Sequence, residues 1–300
     1  MLALPDAVSD ALETLLPIAL REDIGTGDIT TEATIPKGTP AVARFRVKET
    51  GVIAGLAVAE RVFQAVDPDL EVNWSFSDGD RVSPGDEPGD VRGDARSILV
   101  AERLALNLVQ RMGGIATAAH RMAEAARPAT VLDTRKTAPG LRRLDKWAVQ
   151  LGGAANHRTG LWDMVLIKDN HITAAGGVRE ALMAATAHLD SLGLGVPVEC
   201  ETRTLDEIDQ ALAAHADGAR LDRLLLDNMV VRTNDGLDIS MLQEAVTRIA
   251  GRVQTEASGN VTLETVGAIA TTGVDFISSG ALTHSVRALD VSLKVVLGSR

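Results

Sequence analysis

The chain has 300 residues, 45% of them apolar, and a mean hydropathy of +0.09, enough for one large globular domain or two ordinary ones. Its net charge of −11, from 30 basic and 41 acidic side chains, is the reverse of a nucleic-acid binder's balance. One cysteine, Cys200, excludes an internal disulfide framework and a cysteine-based zinc site and suits a reducing, cytoplasmic setting. No run of about 18 uncharged apolar residues offers a membrane span. The first apolar stretch carries Asp6, Asp10 and Glu13 without a basic segment before it, which argues against a signal peptide.

In chain order, the pattern predicts a helix over residues 9–21 and then a Gly- and Thr-rich turn, Gly25 to Thr31. A strand follows at 41–48, then a helix ending near Val66. The segment DGDRVSPGD at 78–86 is dense in turn residues and has no lysine at its tip, so it reads as a structural turn and not as a carrier hairpin. Ser97 to Met112 is a helix with an apolar stripe of Leu99, Leu104, Leu106, Leu108 and Val109. With only three Trp, four Phe and no Tyr, the core is left to Leu, Val, Ile and Ala.

From about Pro128 the chain becomes regular. Short apolar strands are predicted at 130–132, 164–167, 196–200, 223–226, 253–255 and 274–277, most of them separated by amphipathic helices such as 178–192, 205–214 and 262–271. Thr204 and Glu207 are placed for a capping box, and Gly273 for a helix end. Strands alternating with helices imply a parallel sheet, either doubly wound or closed. Each strand runs into a polar cluster: Asp133 to Lys136, Lys168 to His171, Glu199 and Glu201, Asp227-Asn228, Ser258-Gly259 and Ser279-Gly280. Ligand residues at the same end of six strands point to a barrel short of the usual eight, not to one switch point. The predicted architecture is α/β, with a differently patterned N-terminal part over 1–113 and an incomplete barrel of about six parallel strands over 114–285.

Seven cations (Arg135, Lys136, Arg142, Arg143, Lys146, Arg158 and Lys168) stand against Asp145 and Asp163 between positions 135 and 168, which suggests a local anion site or a solvated helix face. Ser258-Gly259-Asn260 and Ser279-Gly280-Ala281, with Thr283 and His284 beyond, resemble a cup of backbone N–H groups for a phosphate. Glu201 and Asp227 are either counterions or a magnesium site of hard oxygens. His157 is either a helix-end histidine or, beside Arg158, a donor to an anion. Arginine forks suit carboxylates, and no Ser–His–Asp triad stands out.

Taken together, DTRKT-x-PGLR at 133–142, GG-x-x-NHR-x-GL at 152–161, IKDNH at 167–171, LLLDN at 224–228, SG at 258–259 and GALTHS at 280–285 resemble the quinolinate phosphoribosyltransferases. EDIGTGDITT at 22–31 and AERLALN at 101–107 carry the resemblance over nearly the whole chain. It implies conversion of quinolinate and phosphoribosyl pyrophosphate to nicotinate mononucleotide, pyrophosphate and CO2, with Mg2+, in NAD biosynthesis. It further implies that Arg135, Lys136, His157, Arg158 and Lys168 bind quinolinate, with Lys136, Lys168, Glu201 and Asp227 closest to the chemistry. Glu201 and Asp227 would lie near the ribose and Mg2+, directly or through water, while Ser258, Gly259, Asn260, Ser279, Gly280 and His284 would hold phosphate. Arg103 would be donated by the partner of a homodimer, and 1–113, joined by 286–300, would form an N-terminal α/β sandwich. Departures in 184–197 and 217–220 leave Glu199 and Glu201 as alternatives for the nearer acid, and Trp147 stands where a tyrosine is common. The alternatives are a molybdenum-transport-associated relative, an aldolase-type barrel lyase and a non-catalytic nucleotide sensor. No nucleic-acid or membrane partner is expected.

Overall fold

A computed structural model describes residues 4–233 and 236–297. The chain forms two compact units: Met1–His120 with Thr137–Gly153 and Leu282–Arg300, and Arg121–Lys136 with Ala154–Ala281. The units therefore do not follow one cut in the sequence, because the segment 137–153 belongs with the first. No helix among the described residues is long and apolar enough to cross a membrane.

The first unit is built on a four-stranded antiparallel sheet in the order Val291–Leu297, Pro40–Val47, Gly89–Asp94, Glu71–Trp74. Along Pro40–Val47 burial alternates, so Ala41, Ala43, Phe45 and Val47 enter the core while their neighbours face outward. Phe45 meets Phe63 edge-on, with ring centroids 6.2 Å apart, and Trp74 at 5.0 Å. Asp78, within the turn-dense segment, accepts from the N–H groups of Leu56 and Ala57 and so caps the helix Leu56–Val66. The Gly- and Thr-rich stretch is more ordered than the predicted turn. Asp28 accepts from the Thr31 N–H and starts a short helix, Ile29–Thr34.

The helix predicted over 97–112 runs from Ala95 to Ala125. Gly113-Gly114 reads as a stop because glycine costs a helix interior about 1 kcal/mol against alanine. Here both glycines serve close packing. A Cβ on Gly114 would lie 2.2 Å from the Arg287 carbonyl oxygen, and one on Gly113 would lie 2.9 Å from Leu289. The Leu289 N–H also donates to the Gln110 carbonyl beside them.

The second unit carries six parallel strands: Thr130–Leu132, Val165–Ile167, Val198–Thr202, Arg223–Asp227, Gln254–Ser258 and Phe276–Ser278. Numbered along the chain, their spatial order is 1-6-5-4-3-2. The order never reverses, and the sixth strand pairs in parallel with the first, which is barrel winding and not double winding. Among the described strands no ladder joins the first to the second, so the barrel is incomplete there. Val131, Cys200, Leu224, Leu226, Ala257 and Ile277 are buried on the strand face opposite Leu225 and Glu256. The predicted Thr204–Glu207 capping box is present at the helix Leu205–Ala216.

Candidate active site

A cavity of about 180 Å³ opens at the C-terminal ends of the barrel strands. Arg135, Lys136, His157, Arg158, Lys168 and Ser258 line it, with Thr134, Leu166, Leu225, Glu256 and Ser278. Four predicted anion binders are cationic and converge on this one cavity from separate loops. Asp133, fully buried at the end of the first strand, accepts from the His157 N–H at 2.8 Å and ties the loop after that strand to the His157–Arg158 segment. Asp163 accepts from the N–H groups of Thr159 and Gly160 and closes the turn that follows. Burial first, and then the nearby Arg135, hold the Arg158 guanidinium below its ordinary value.

His157 lines the cavity, and its ring is fixed by protein groups on both sides. Its Nδ1 accepts from the Arg158 N–H at 2.7 Å, so the ring proton resides on Nε2. Nε2 faces two buried carboxylates, Glu199 at 2.9 Å and Glu256 at 3.5 Å. Both ring nitrogens therefore face protein groups. Burial pushes both carboxyls up; Glu256, which also feels the Glu199 charge, reaches about 7. Arg223 answers that charge, with Nη1 2.7 Å from Glu256 and its guanidinium 3.9 Å over the Phe276 ring. His157, Glu199 and Glu256 lie close enough together to hold a metal, but Arg223 already supplies the cation to Glu256.

Glu201 and Asp227 occupy adjacent strands, as expected, and a third acid, Asp169, joins them through one arginine. Arg203 places Nη2 3.0 Å from Glu201, Nη1 3.0 Å from Asp169 and Nε 3.3 Å from Asp227. Lys168 Nζ lies 3.3 Å from the other oxygen of Glu201. Glu201 is buried, and its Oε1 has no aligned hydrogen bond despite the ion-pair contact. Hard carboxylate oxygens, one of them orphaned, suit Mg2+ better than a soft transition metal. Glu199 lies deeper, against His157, so of the two alternatives it is Glu201 that faces the other acids.

The two expected phosphate loops differ. Gly259 has φ +103°, and a Cβ there would lie 2.2 Å from Asn228 Oδ1, so only glycine lets these loops approach. Asn260 is also left-handed, at φ 51°. By contrast, Ser279 is buried; its N–H donates to the Leu132 carbonyl and its hydroxyl to the Val261 carbonyl. Its donors are thus engaged inside the fold. Gly280 is half-buried at the turn after the sixth strand, and the helix behind it, Ala281–His284, has four residues. His284 is exposed, with Nδ1 2.7 Å from the Ser285 hydroxyl, and belongs to the first unit. Arg103 is exposed on the long helix of the same unit.

The run of cations also divides. Arg142, Arg143 and Lys146 lie on the helix Arg142–Leu151, in the first unit, where buried Asp145 accepts from Nε and Nη2 of Arg111, each at 2.8 Å. The anion site is left with Arg135, Lys136, Arg158 and Lys168.

Compared with known proteins, residues 28–113 match the family "Quinolinate phosphoribosyl transferase, N-terminal domain" and residues 115–294 match the corresponding C-terminal domain. The chain belongs to the quinolinate phosphoribosyl transferase family. It is 56% identical over 287 residues to quinolinate phosphoribosyltransferase [decarboxylating] 1 of Nicotiana glauca, covering 95% of this chain and 82% of the relative. It is 55% identical, with 95% and 82% coverage, to the chloroplastic nicotinate-nucleotide pyrophosphorylase [carboxylating] of Arabidopsis thaliana. The crystal structure of NadC from Streptococcus pyogenes superposes with a TM-score of 0.89 at 36% identity, covering 100% of both chains.

Within this family member, the residues that sequence reasoning passed over are Glu256, Arg223, Asp169 and Arg203. Each carried a signal. A charged residue inside a short buried strand, as in QTEAS, demands a partner. The period of two that aligns Glu199 with Glu201 continues to Arg203.

Proposed function

We propose that the chain transfers the phosphoribosyl group of phosphoribosyl pyrophosphate to the ring nitrogen of quinolinate and releases the adjacent carboxylate as CO2. The products are nicotinate mononucleotide and pyrophosphate, on the route to NAD. The observation that carries this reading is the convergence of Arg135, Lys136, Arg158 and Lys168 on one cavity at the barrel mouth. A dicarboxylate suits such a site, because each carboxylate can take charged hydrogen bonds from a fixed cation.

The ring nitrogen of quinolinate is already nucleophilic, so the site needs no general base. Its lone pair forms the bond to the anomeric carbon as the bond to pyrophosphate breaks, through an oxocarbenium-like state. The protein's work is to hold the two reactants in line and to neutralise charge. Glu201 and Asp227 would hold Mg2+, directly or through water, and the ion would supply part of that neutralisation at the departing pyrophosphate. Once ribosylated, the pyridinium accepts the electron pair left at C2 when CO2 departs, and C2 then takes a proton from solvent. His157, with its proton on Nε2 facing Glu199, acts by holding the Arg158 N–H in place.

The reading includes a homodimer in which Arg103 completes the partner's site, supported by its exposure on the long helix, and a cytoplasmic location, supported by a chain with one cysteine. Substrate discrimination tests the proposal. With phosphoribosyl pyrophosphate and Mg2+, quinolinate is expected to yield pyrophosphate, whereas nicotinate, which lacks the 2-carboxylate, is not. Turnover of nicotinate in preference to quinolinate contradicts it.

A further inference from the structure

Arg203 is absent from the set of substrate-binding residues implied by the family resemblance, yet it meets three carboxylates at the barrel mouth. Each of its three guanidinium nitrogens meets a different carboxylate, those of Asp169, Glu201 and Asp227, at 3.0, 3.0 and 3.3 Å. These three acids come from the ends of three neighbouring strands, the second, third and fourth. A single planar fork therefore sits among the oxygens that suit a divalent ion. Arginine is fitted to this because its charge is permanent and its donors diverge in one plane.

We propose that Arg203 guards the metal subsite, holding its carboxylates in the substrate-free enzyme and making divalent-ion binding conditional on the phosphorylated substrate. The inference rests on the functional reading above. Three carboxylates with Arg203 and Lys168 among them carry a local charge of −1, a poor site for a free divalent ion. Without Arg203 the same groups carry −2. Pyrophosphate oxygens are stronger partners for a guanidinium than carboxylates already shared three ways. As they arrive, the Arg203 fork turns to them, and the carboxylates are released to the ion that comes with them. Arg203 is half-exposed, with 49% of its side chain accessible, so it has room to turn without opening the core.

The guard makes a prediction that does not depend on turnover. Mn2+ binding is measured by electron paramagnetic resonance on the substrate-free protein, for wild type, Arg203→Gln, Arg203→Lys and Arg203→Gln/Asp227→Asn. Wild type is expected to bind Mn2+ weakly alone and at least tenfold more tightly with pyrophosphate present. Arg203→Gln should bind it at least tenfold more tightly than wild type without pyrophosphate, Arg203→Lys should stay near wild type, and the double variant should lose the gain. A folded Arg203→Gln protein that binds Mn2+ no better than wild type overturns the proposal. So does a gain that survives in the double variant, since the ion would then sit elsewhere. If either happens while wild type still makes nicotinate mononucleotide, the guard fails and the functional reading stands. If wild type makes no product, the functional reading fails first.

Discussion

Replacing Glu256 with glutamine isolates the buried charge cluster beneath the cavity. Glu256 is almost fully buried, and burial, followed by the Glu199 charge, raises its carboxyl from 4.5 to about 7, against the pull of Ser278 and Arg223. That gap corresponds to about 3 kcal/mol. The sign follows from which state holds the proton. Below pH 4.5 the carboxyl is protonated in both folded and unfolded chains, and its stabilising contribution is complete. As pH rises toward 7 the unfolded chain ionises freely while the folded one resists, so the contribution is lost. Glutamine keeps the shape and an acceptor for Arg223 but does not titrate. Measured by thermal unfolding, Glu256→Gln should gain on wild type between pH 4.5 and pH 8. For units of this size, 3 kcal/mol corresponds to a relative rise in Tm of about 6–12 °C. Parallel stability profiles for the two proteins across that range refute the reasoning.

Further expectations follow from single contacts. Arg135→Ala should raise the quinolinate KM by about 10- to 150-fold, the loss of one charged hydrogen bond at about 1.5–3 kcal/mol, in a protein whose circular dichroism is unchanged; an unchanged KM removes Arg135 from the site. Gly259→Ala combines a positive φ with a Cβ 2.2 Å from Asn228 Oδ1, and Asn228 Nδ2 donates to Asp227 at 2.7 Å. Strain of about 1–3 kcal/mol should therefore appear as a raised KM for phosphoribosyl pyrophosphate, and a wild-type value contradicts this. Arg103→Ala and Lys136→Ala should each be nearly inactive, yet regain activity when co-expressed as mixed dimers, because one of the two sites then holds both residues. Verified mixed dimers without recovery end the shared-site proposal.

The barrel was legible because short apolar strands and their polar ends repeat along the chain, and the ends of all six strands emerged within three residues of their predicted places. Glu201 and Asp227 were legible for the same reason, since each ends a strand. The full length of the helix Ala95–Ala125 was not, because a glycine pair that signals a stop in sequence can equally signal close packing, and only the Arg287 carbonyl beside Gly114 distinguishes them. The division of the cation run was hidden because linear proximity says nothing of which unit a helix joins: Lys146 and Lys168 are near in sequence but lie in different units. The tautomer of His157 depends on the Arg158 N–H and on carboxylates from two distant strands, information that no local pattern carries. The bond from the Ser279 hydroxyl to the Val261 carbonyl was not legible either, because a serine beside a glycine at a strand end looks the same in sequence whatever its hydroxyl meets.

The central claim is that ribosylation of the ring nitrogen and loss of the neighbouring carboxylate occur together in this cationic cavity. Quinolinate carrying 13C in its 2-carboxylate, followed by NMR in the presence of Mg2+, tests it most directly. The account predicts that label leaves as CO2 only when phosphoribosyl pyrophosphate is present, with one nicotinate mononucleotide and one pyrophosphate formed for each label lost. Release of label without phosphoribosyl pyrophosphate, or no release from folded protein supplied with both substrates and Mg2+, would contradict it.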